Sequence, residues 1–290
     1  MNFFNDSPPN DADKTQRAYN AGANIARNRM STEAPLAAEA LAAIQESDIV
    51  VVTGCYDHVE RVLGALDVPY QTVGPGLLRQ ARLRPDQMVV VNCPGKLTGP
   101  EIVQIRDFVA AGGTLFTTDW ALRNVIEPAF PGYIEYNDNA TTDDVVRIDV
   151  IDTNSPYLQG VLDSDDDPQW WLEGSSYPIR VIDADRVRVL IRSRELGEKY
   201  GEEPVAVVFE YGKGEVFHMV SHYYLQRAEL RNDRHAQTAE SYAMSKGVDF
   251  STGMADAVAD IKLGEVEAAA SSSRLIANIL ADKKLRDTKD

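Results

Sequence analysis

Cysteine is scarce in this chain: Cys55 and Cys93 are the two in 290 residues. Two thiols make no disulfide framework, and without a C-x-x-C pair there is no dithiol redox centre or zinc ribbon to expect. Long hydrophobic runs are missing as well. The apolar stretches are strand-length, such as Ile49 to Val52 and Met88 to Val91, against the roughly 18–20 residues that a membrane-spanning helix needs. No basic start followed by an apolar core opens the chain at Met1-Asn2-Phe3-Phe4-Asn5-Asp6, so no secretory signal is read and a cytoplasmic location is the expectation. Basic residues are outnumbered, 29 Lys and Arg against 45 Asp and Glu, for a net charge of −16. That charge favours solubility and repels phosphate backbones, which predicts neither a nucleic-acid nor a membrane partner. Neither G-x-G-x-x-G nor G-x-x-x-x-G-K-[ST] occurs, and no cofactor is expected.

What is present reads as alternating strands and helices. Residues 1–32, rich in Asn, Asp, Ala and Arg, read as a flexible N-terminal arm or an extended wrapping segment. A helix over 33–46 follows, with Ala37, Ala40, Leu41 and Ile44 at helical spacing. Continuous apolar runs at Ile49–Val52, Met88–Val91 and Leu115–Phe116 have the pattern of parallel strands buried on both faces. Helical periodicity separates them, at Val59, Val62, Leu63 and Leu66 and again at Ile102, Ile105, Phe108 and Val109. These units predict a flavodoxin-like, doubly wound α/β sheet. After residue 130 the rhythm breaks into strand-like pieces, an insert over about 135–200 with an antiparallel β extension. A hairpin around Tyr211-Gly212-Lys213-Gly214 then returns the chain to the sheet. A helix over about 266–281 ends a single domain running from residue 33, while residues 235–258 are ambiguous.

Ligands of open α/β sheets sit beyond the carboxyl ends of the strands. Here those ends carry Gly54, Cys55, Tyr56, Asp57 and His58; Asn92, Cys93, Pro94 and Gly95; Asp119 and Trp120; and His222, Tyr223 and Tyr224. Gly54, Cys55, Tyr56, Asn92, Gly95, Trp120 and Tyr223 are candidate small-molecule contacts, and Cys93, Asp119 and His222 are candidate catalytic groups. The strings V-V-V-T-G-C-Y-D-H-V at 50–59, V-N-C-P-G at 91–95, F-V-A-A-G-G-T-L-F-T-T-D-W-A-L at 108–122 and G-K-G-E-V-F-H-M-V-S-H at 212–222 resemble class I glutamine amidotransferase-like domains, in their trehalose-utilisation-like and uncharacterised bacterial branches.

The resemblance implies a nucleophilic cysteine in an elbow after the fourth strand, where this chain has Thr118-Asp119-Trp120. It also implies an oxyanion-hole loop at Asn92–Gly95 and a late catalytic histidine at His222, whose acidic partner is replaced by Tyr224. With the elbow thiol missing, the first expectation is a non-catalytic binding or assembly component of a bacterial multi-protein system. Its arm and terminal helix would grip a protein partner or a second copy. The alternative is a cysteine or acid/base hydrolase acting on a small amide or sugar derivative through Cys93 or Asp119 with His222. Cys93 reads either as a thiol activated by His222 or as a small apolar filler. No metal is expected: His218 and His222, four residues apart on a strand, are about 13 Å from each other, which leaves only a set joining His222, Asp119 and His58. The acidic run Asp163–Asp167 lacks the turn glycine and closing glutamate of a calcium loop and reads as solvated.

Overall fold

A computed structural model describes residues 9–152 and 154–288. Its centre is an eight-stranded sheet. The parallel part comprises β1 (Ile49–Val52), β2 (Gln71–Val73), β3 (Met88–Val91) and β4 (Thr114–Thr118), and every residue of β1, β3 and β4 is buried. Two helices make the crossovers, α3 (Val59–Ala65) and α4 (Gly99–Ala111). The first turn of α4 is fixed by Glu101, whose carboxylate accepts the Thr98 N–H and hydroxyl, both at 2.8 Å. The insert contributes β5 (Ile134–Tyr136), β6 (Asp144–Arg147), β7 (Asp149–Val150), β8 (Gln169–Leu172), β9 (Ile179–Val181) and β10 (Val187–Arg192). The hairpin is β11 (Pro204–Tyr211) and β12 (Gly214–Met219).

In space the order is β2-β1-β3-β4-β12-β11-β10-β7. β12 runs parallel to β4, while β11, β10 and β7 add the expected antiparallel extension. The 2-1-3-4 order is that of the flavodoxin-like doubly wound fold, with its ligand crevice at the reversal between β1 and β3. Two small two-stranded sheets, β5 with β9 and β6 with β8, stand apart from the main one. Among the described residues no helix is long and apolar enough to cross a membrane.

The ends of the chain depart from the sequence expectation. The first eight residues of the expected arm lie outside the described residues, but Pro9–Glu33 is a helix, α1, followed by α2 (Pro35–Ala42). α1 lies along α9 (Leu263–Asp287), which is longer than the periodicity suggested. The apolar face of α1 is Ala18, Ala21, Ile25, Ala26 and Met30, all buried. Its helical period is carried by alanine, the best helix former but an inconspicuous hydrophobe. Such small residues let the two backbones meet: a Cβ on Gly22 would stand 2.6 Å from the Ala270 nitrogen. Tyr19 then ties α1 to the sheet, donating from its hydroxyl to the Tyr223 carbonyl (2.6 Å) and accepting from the Leu225 N–H (2.7 Å).

The ambiguous 235–258 stretch holds two short helices, α7 (Ala239–Ser245) and α8 (Thr252–Ala257), with α6 (Arg194–Tyr200) and α5 (Glu127–Ala129) earlier in the chain. The acidic run, expected to be solvated, is exposed at 163–165 as read, but three of its carboxylates are also paired. Asp163 meets Arg29 at 2.9 Å and Lys246 at 2.6 Å, Asp166 meets Lys246 at 2.6 Å and Arg234 at 3.2 Å, and Asp167 meets Arg147 at 2.6 Å. Burial of Asp166 under α7 requires those partners, because an unpaired carboxylate there would cost several kcal/mol, of order 3–5.

The close approach of α1 and α9 has a sign that distinguishes a docked helix from a free arm. In a free helix Gly22→Ala stabilises by about 0.5–1 kcal/mol. Against the α9 backbone the added methyl is expected to destabilise the protein by about 1–3 kcal/mol. Urea unfolding with an unchanged slope checks this; an unaltered or raised midpoint contradicts the docking.

Candidate functional site

Four strand ends meet at the carboxyl edge of the sheet, and Gly54 sets how closely they approach. A Cβ at Gly54 would lie 2.1 Å from the Cys93 carbonyl oxygen, so only glycine lets the turn after β1 rest on the turn after β3. The Cys55 N–H (3.2 Å) and the Tyr56 N–H (3.4 Å) both donate to that carbonyl. Three residues expected to contact a ligand thus bind the neighbouring turn through backbone; the Tyr56 ring and the Cys55 thiol lie exposed. In the Asn92–Gly95 loop, which the family resemblance implies as the oxyanion-hole loop, the Gly95 N–H is spent on Asn92 O at 2.9 Å. Asn92 itself turns away, donating from Nδ2 to Glu60 Oε2 (2.9 Å). Tyr223 is a correction of the same kind: it is fully buried, its ring 4.2 Å from that of Phe116, and belongs to the core.

The turn after β4 is the elbow. Asp119 sits in the left-handed region at φ +49°, which short polar side chains tolerate better than most. A π-helical segment, Leu122–Ile126, follows, and Asn124 within it donates to the Pro94 carbonyl at 2.6 Å, holding elbow and β3 turn together. The Asp119 carboxylate is buried and crowded. Oδ1 accepts the Tyr177 N–H (3.0 Å); Oδ2 accepts the Ser176 hydroxyl (3.2 Å) and the Cys93 thiol (3.7 Å) and stands 3.2 Å from His222 Nε2. On its other side, His222 Nδ1 lies 3.0 Å from Glu173 Oε2. Cys93, Asp119 and His222, three candidates nominated from separate strand ends, are therefore brought together, all buried.

Three further residues contribute: two that the sequence did not show, and Asp57, which stood at a strand end without being nominated. Glu173 and Ser176 come from the insert, which carries no motif, and its 173–177 segment covers the site. Asp57, at the start of α3, accepts the Thr118 hydroxyl (2.8 Å) and the Tyr223 N–H (3.1 Å), joining the exits of β1, β4 and β12. Above the site the Trp120 indole donates to the Ser175 carbonyl (2.6 Å) and lies stacked on Tyr177, with ring centroids 5.8 Å apart and Tyr56 edge-on at 5.3 Å. Of the set below, Glu173 reaches the surface most, with a quarter of its side chain exposed.

Electrostatics follow from this burial. Burial pulls the His222 imidazole down, but the field of Asp57 and the contacts with Asp119, Cys93 and Glu173 outweigh it, so the ring is held well above its ordinary value. Burial pushes Asp119 up, while His222 and the Tyr177 N–H draw it back. Both directions mean that the pair keeps a proton. Burial and Asp119 push the Cys93 thiol up to about 12, against the opposing pull of His222 and the Trp120 N–H, so no thiolate nucleophile forms near neutrality. His218, set apart from this site, accepts or donates at Nδ1 with Thr117 Oγ1 (2.8 Å) and is pushed down to about 3 by burial.

The two thiols therefore separate chemically. Iodoacetamide is expected to modify Cys55 alone in the native protein and both cysteines after denaturation, read by mass spectrometry of the peptides. Comparable native rates at Cys55 and Cys93 would contradict the burial of Cys93.

No family model and no curated protein matches this sequence. Solved structures resemble the fold distantly. The carbohydrate deacetylase Agd3 is 12% identical with a TM-score of 0.44, over 68% of this chain and 31% of that one. A GMP synthase chain from Thermoplasma acidophilum is 15% identical with a TM-score of 0.40, over 63% and 86%. The β-galactosidase of Rahnella sp. R3 is 16% identical with a TM-score of 0.44, over 62% and 29%. This chain spans 27–31% of the length of the glycosidases that it matches.

Proposed function

We propose that the chain is a hydrolase of the amidotransferase-like α/β type that uses water, not a thiolate, as its nucleophile. The observation that carries this reading is the Asp119 carboxylate, held in the elbow turn with His222 Nε2 at 3.2 Å, while Glu173 stands 3.0 Å from Nδ1 of the same ring. A carboxylate–imidazole–carboxylate chain of this kind stores a positive charge beside the position where an oxyanion would develop. Glu173, nearest the surface, can take a proton from an attacking water as general base and return it as general acid. The water's hydroxyl joins the substrate carbonyl carbon, and its proton passes through Glu173 to the leaving group, so that ester or amide is split with no net change in the protein.

The surroundings narrow the substrate. With Asp57, Asp119 and Glu173 at the site, an anionic substrate would be repelled. Trp120 and Tyr56 offer aromatic surface of the kind that packs on sugar rings, backed by Tyr177, which is stacked against Trp120 and Tyr136. An uncharged acylated sugar or small amide fits both features. The assembly role expected from the sequence has less support, because α1 and α9, the elements meant to grip a partner, grip each other.

A panel of chromogenic esters, acetylated amino sugars and small amides tests the reading. Wild type is expected to hydrolyse at least one, with kcat/KM lowered about 100-fold or more in Asp119→Asn, the scale of losing a positioned acid/base group. Equal rates for wild type and Asp119→Asn across the panel would overturn it and leave a binding role.

A further inference from the structure

His222 is buried, with 1% of its side chain exposed, yet neither ring nitrogen makes an aligned hydrogen bond, although carboxylate oxygens lie at 3.0 and 3.2 Å. The distances are those of contact; the directions are wrong for N–H donation. A buried polar side chain left in this state points to something absent between the groups. On one side of the ring the atoms that face each other are His222 Nε2, Asp119 Oδ2 and Cys93 Sγ, all within 4.8 Å of one another. Imidazole, carboxylate and thiol are the donor types of zinc sites.

The spacing agrees with the chemistry. Tetrahedral zinc bonds of about 2.0–2.3 Å place nitrogen, oxygen and sulfur donors roughly 3.3–3.6 Å apart. Here the Asp119–His222 separation is 3.2 Å and the Cys93–Asp119 separation 3.7 Å, and the third pair, Cys93 and His222, lies within 4.8 Å, so that ligation would draw the set together. We infer that Cys93, Asp119 and His222 form a three-ligand site for a divalent transition metal, zinc by preference, with the fourth position open to water. Binding would displace the Cys93 thiol proton and the Nε2 proton of His222 to solvent, leaving a neutral imidazole ligand and putting the ion's charge where the imidazolium's stood; one thiolate and one carboxylate then neutralise the ion.

Outer contacts lie beside two of the three ligands. Glu173 stands 3.0 Å from the Nδ1 side of His222, within reach of the carboxylate–histidine contact that would form once Nε2 ligates. Asp119 Oδ1 is anchored by the Tyr177 N–H at 3.0 Å, which frees Oδ2 to ligate. The sequence suggested His58 as a third ligand; the group found holds Cys93 instead. This inference deepens the hydrolytic reading, since a metal-bound water is a stronger nucleophile near neutrality than free water. It rests on that reading for its role alone: occupancy is measured without substrate, so either can fail while the other stands.

Elemental analysis of the full chain purified from zinc-supplemented culture is expected to find one zinc per chain. After chelator treatment, cobalt(II) is expected to restore intense visible bands of tetrahedral geometry with a near-ultraviolet thiolate-to-metal charge-transfer band. Cys93→Ser should abolish the charge-transfer band, while Cys55→Ser, at an exposed thiol outside the set, should retain it. Glu173→Gln, at a partly exposed position, should keep the bands and weaken zinc affinity about 10-fold or more. The inference is overturned if wild type holds no stoichiometric metal and gives no cobalt bands, or if a Cys93→Ser protein with wild-type circular dichroism binds zinc as tightly as wild type.

Discussion

A carboxylate buried at the turn after β4 governs the arrangement of this sheet edge. Asp119 cannot be ionised away from water without donors around it, because the desolvation of an unpaired carboxylate costs several kcal/mol. The partners come from three distant parts of the chain: the Cys93 thiol donates from the β3 turn, the Ser176 hydroxyl and Tyr177 N–H donate from the insert, and the His222 ring, from beyond β12, stands 3.2 Å away as a charge partner. Satisfying one side chain therefore fixes three loops relative to one another. The left-handed backbone at Asp119 aims the carboxylate at that meeting point.

A second buried carboxylate completes the frame from the other side. Asp57 links the start of α3 to Thr118 and to the Tyr223 N–H, and Tyr19 of α1 holds the same stretch after β12 through the Tyr223 carbonyl. The exit of β12, which carries His222, is thus held by a helix packed outside the sheet as well as by the sheet itself. Rigidity of this kind suits a site whose groups must keep their spacing to within a few tenths of an ångström. It also explains why α1 belongs to the folded unit: its contacts reach the residues that position the imidazole.

Much of this was legible in the sequence, and the remainder has physical reasons for being hidden. Runs such as Ile49–Val52 and Met88–Val91 announce strands buried on both faces, and the strand-end rule brought Cys93, Asp119 and His222 forward from separate segments. Glu173 was invisible because its role depends on a long-range fold-back of the insert, which local patterning does not encode. α1 escaped because its buried face is made of alanines, whose period is real and whose hydrophobicity is slight. Tyr223 was misplaced because adjacent residues beyond a strand end point in different directions, and here His222 faces the site while Tyr223 packs on Phe116. Absence of the elbow thiol suggested lost catalysis; the sequence showed Asp119 in that turn but not the partners that the structure gathers around it.

The coupling between Asp119 and His222 is the quantity on which all of this depends. A double-mutant cycle with Asp119→Asn, His222→Gln and the pair, each unfolded in urea in the presence of a chelator, measures it directly. Groups in one buried charge network are expected to show an interaction energy of roughly 1–3 kcal/mol. Additive effects, with an interaction energy of about zero, would mean that the two side chains are neighbours without being partners and would contradict the account.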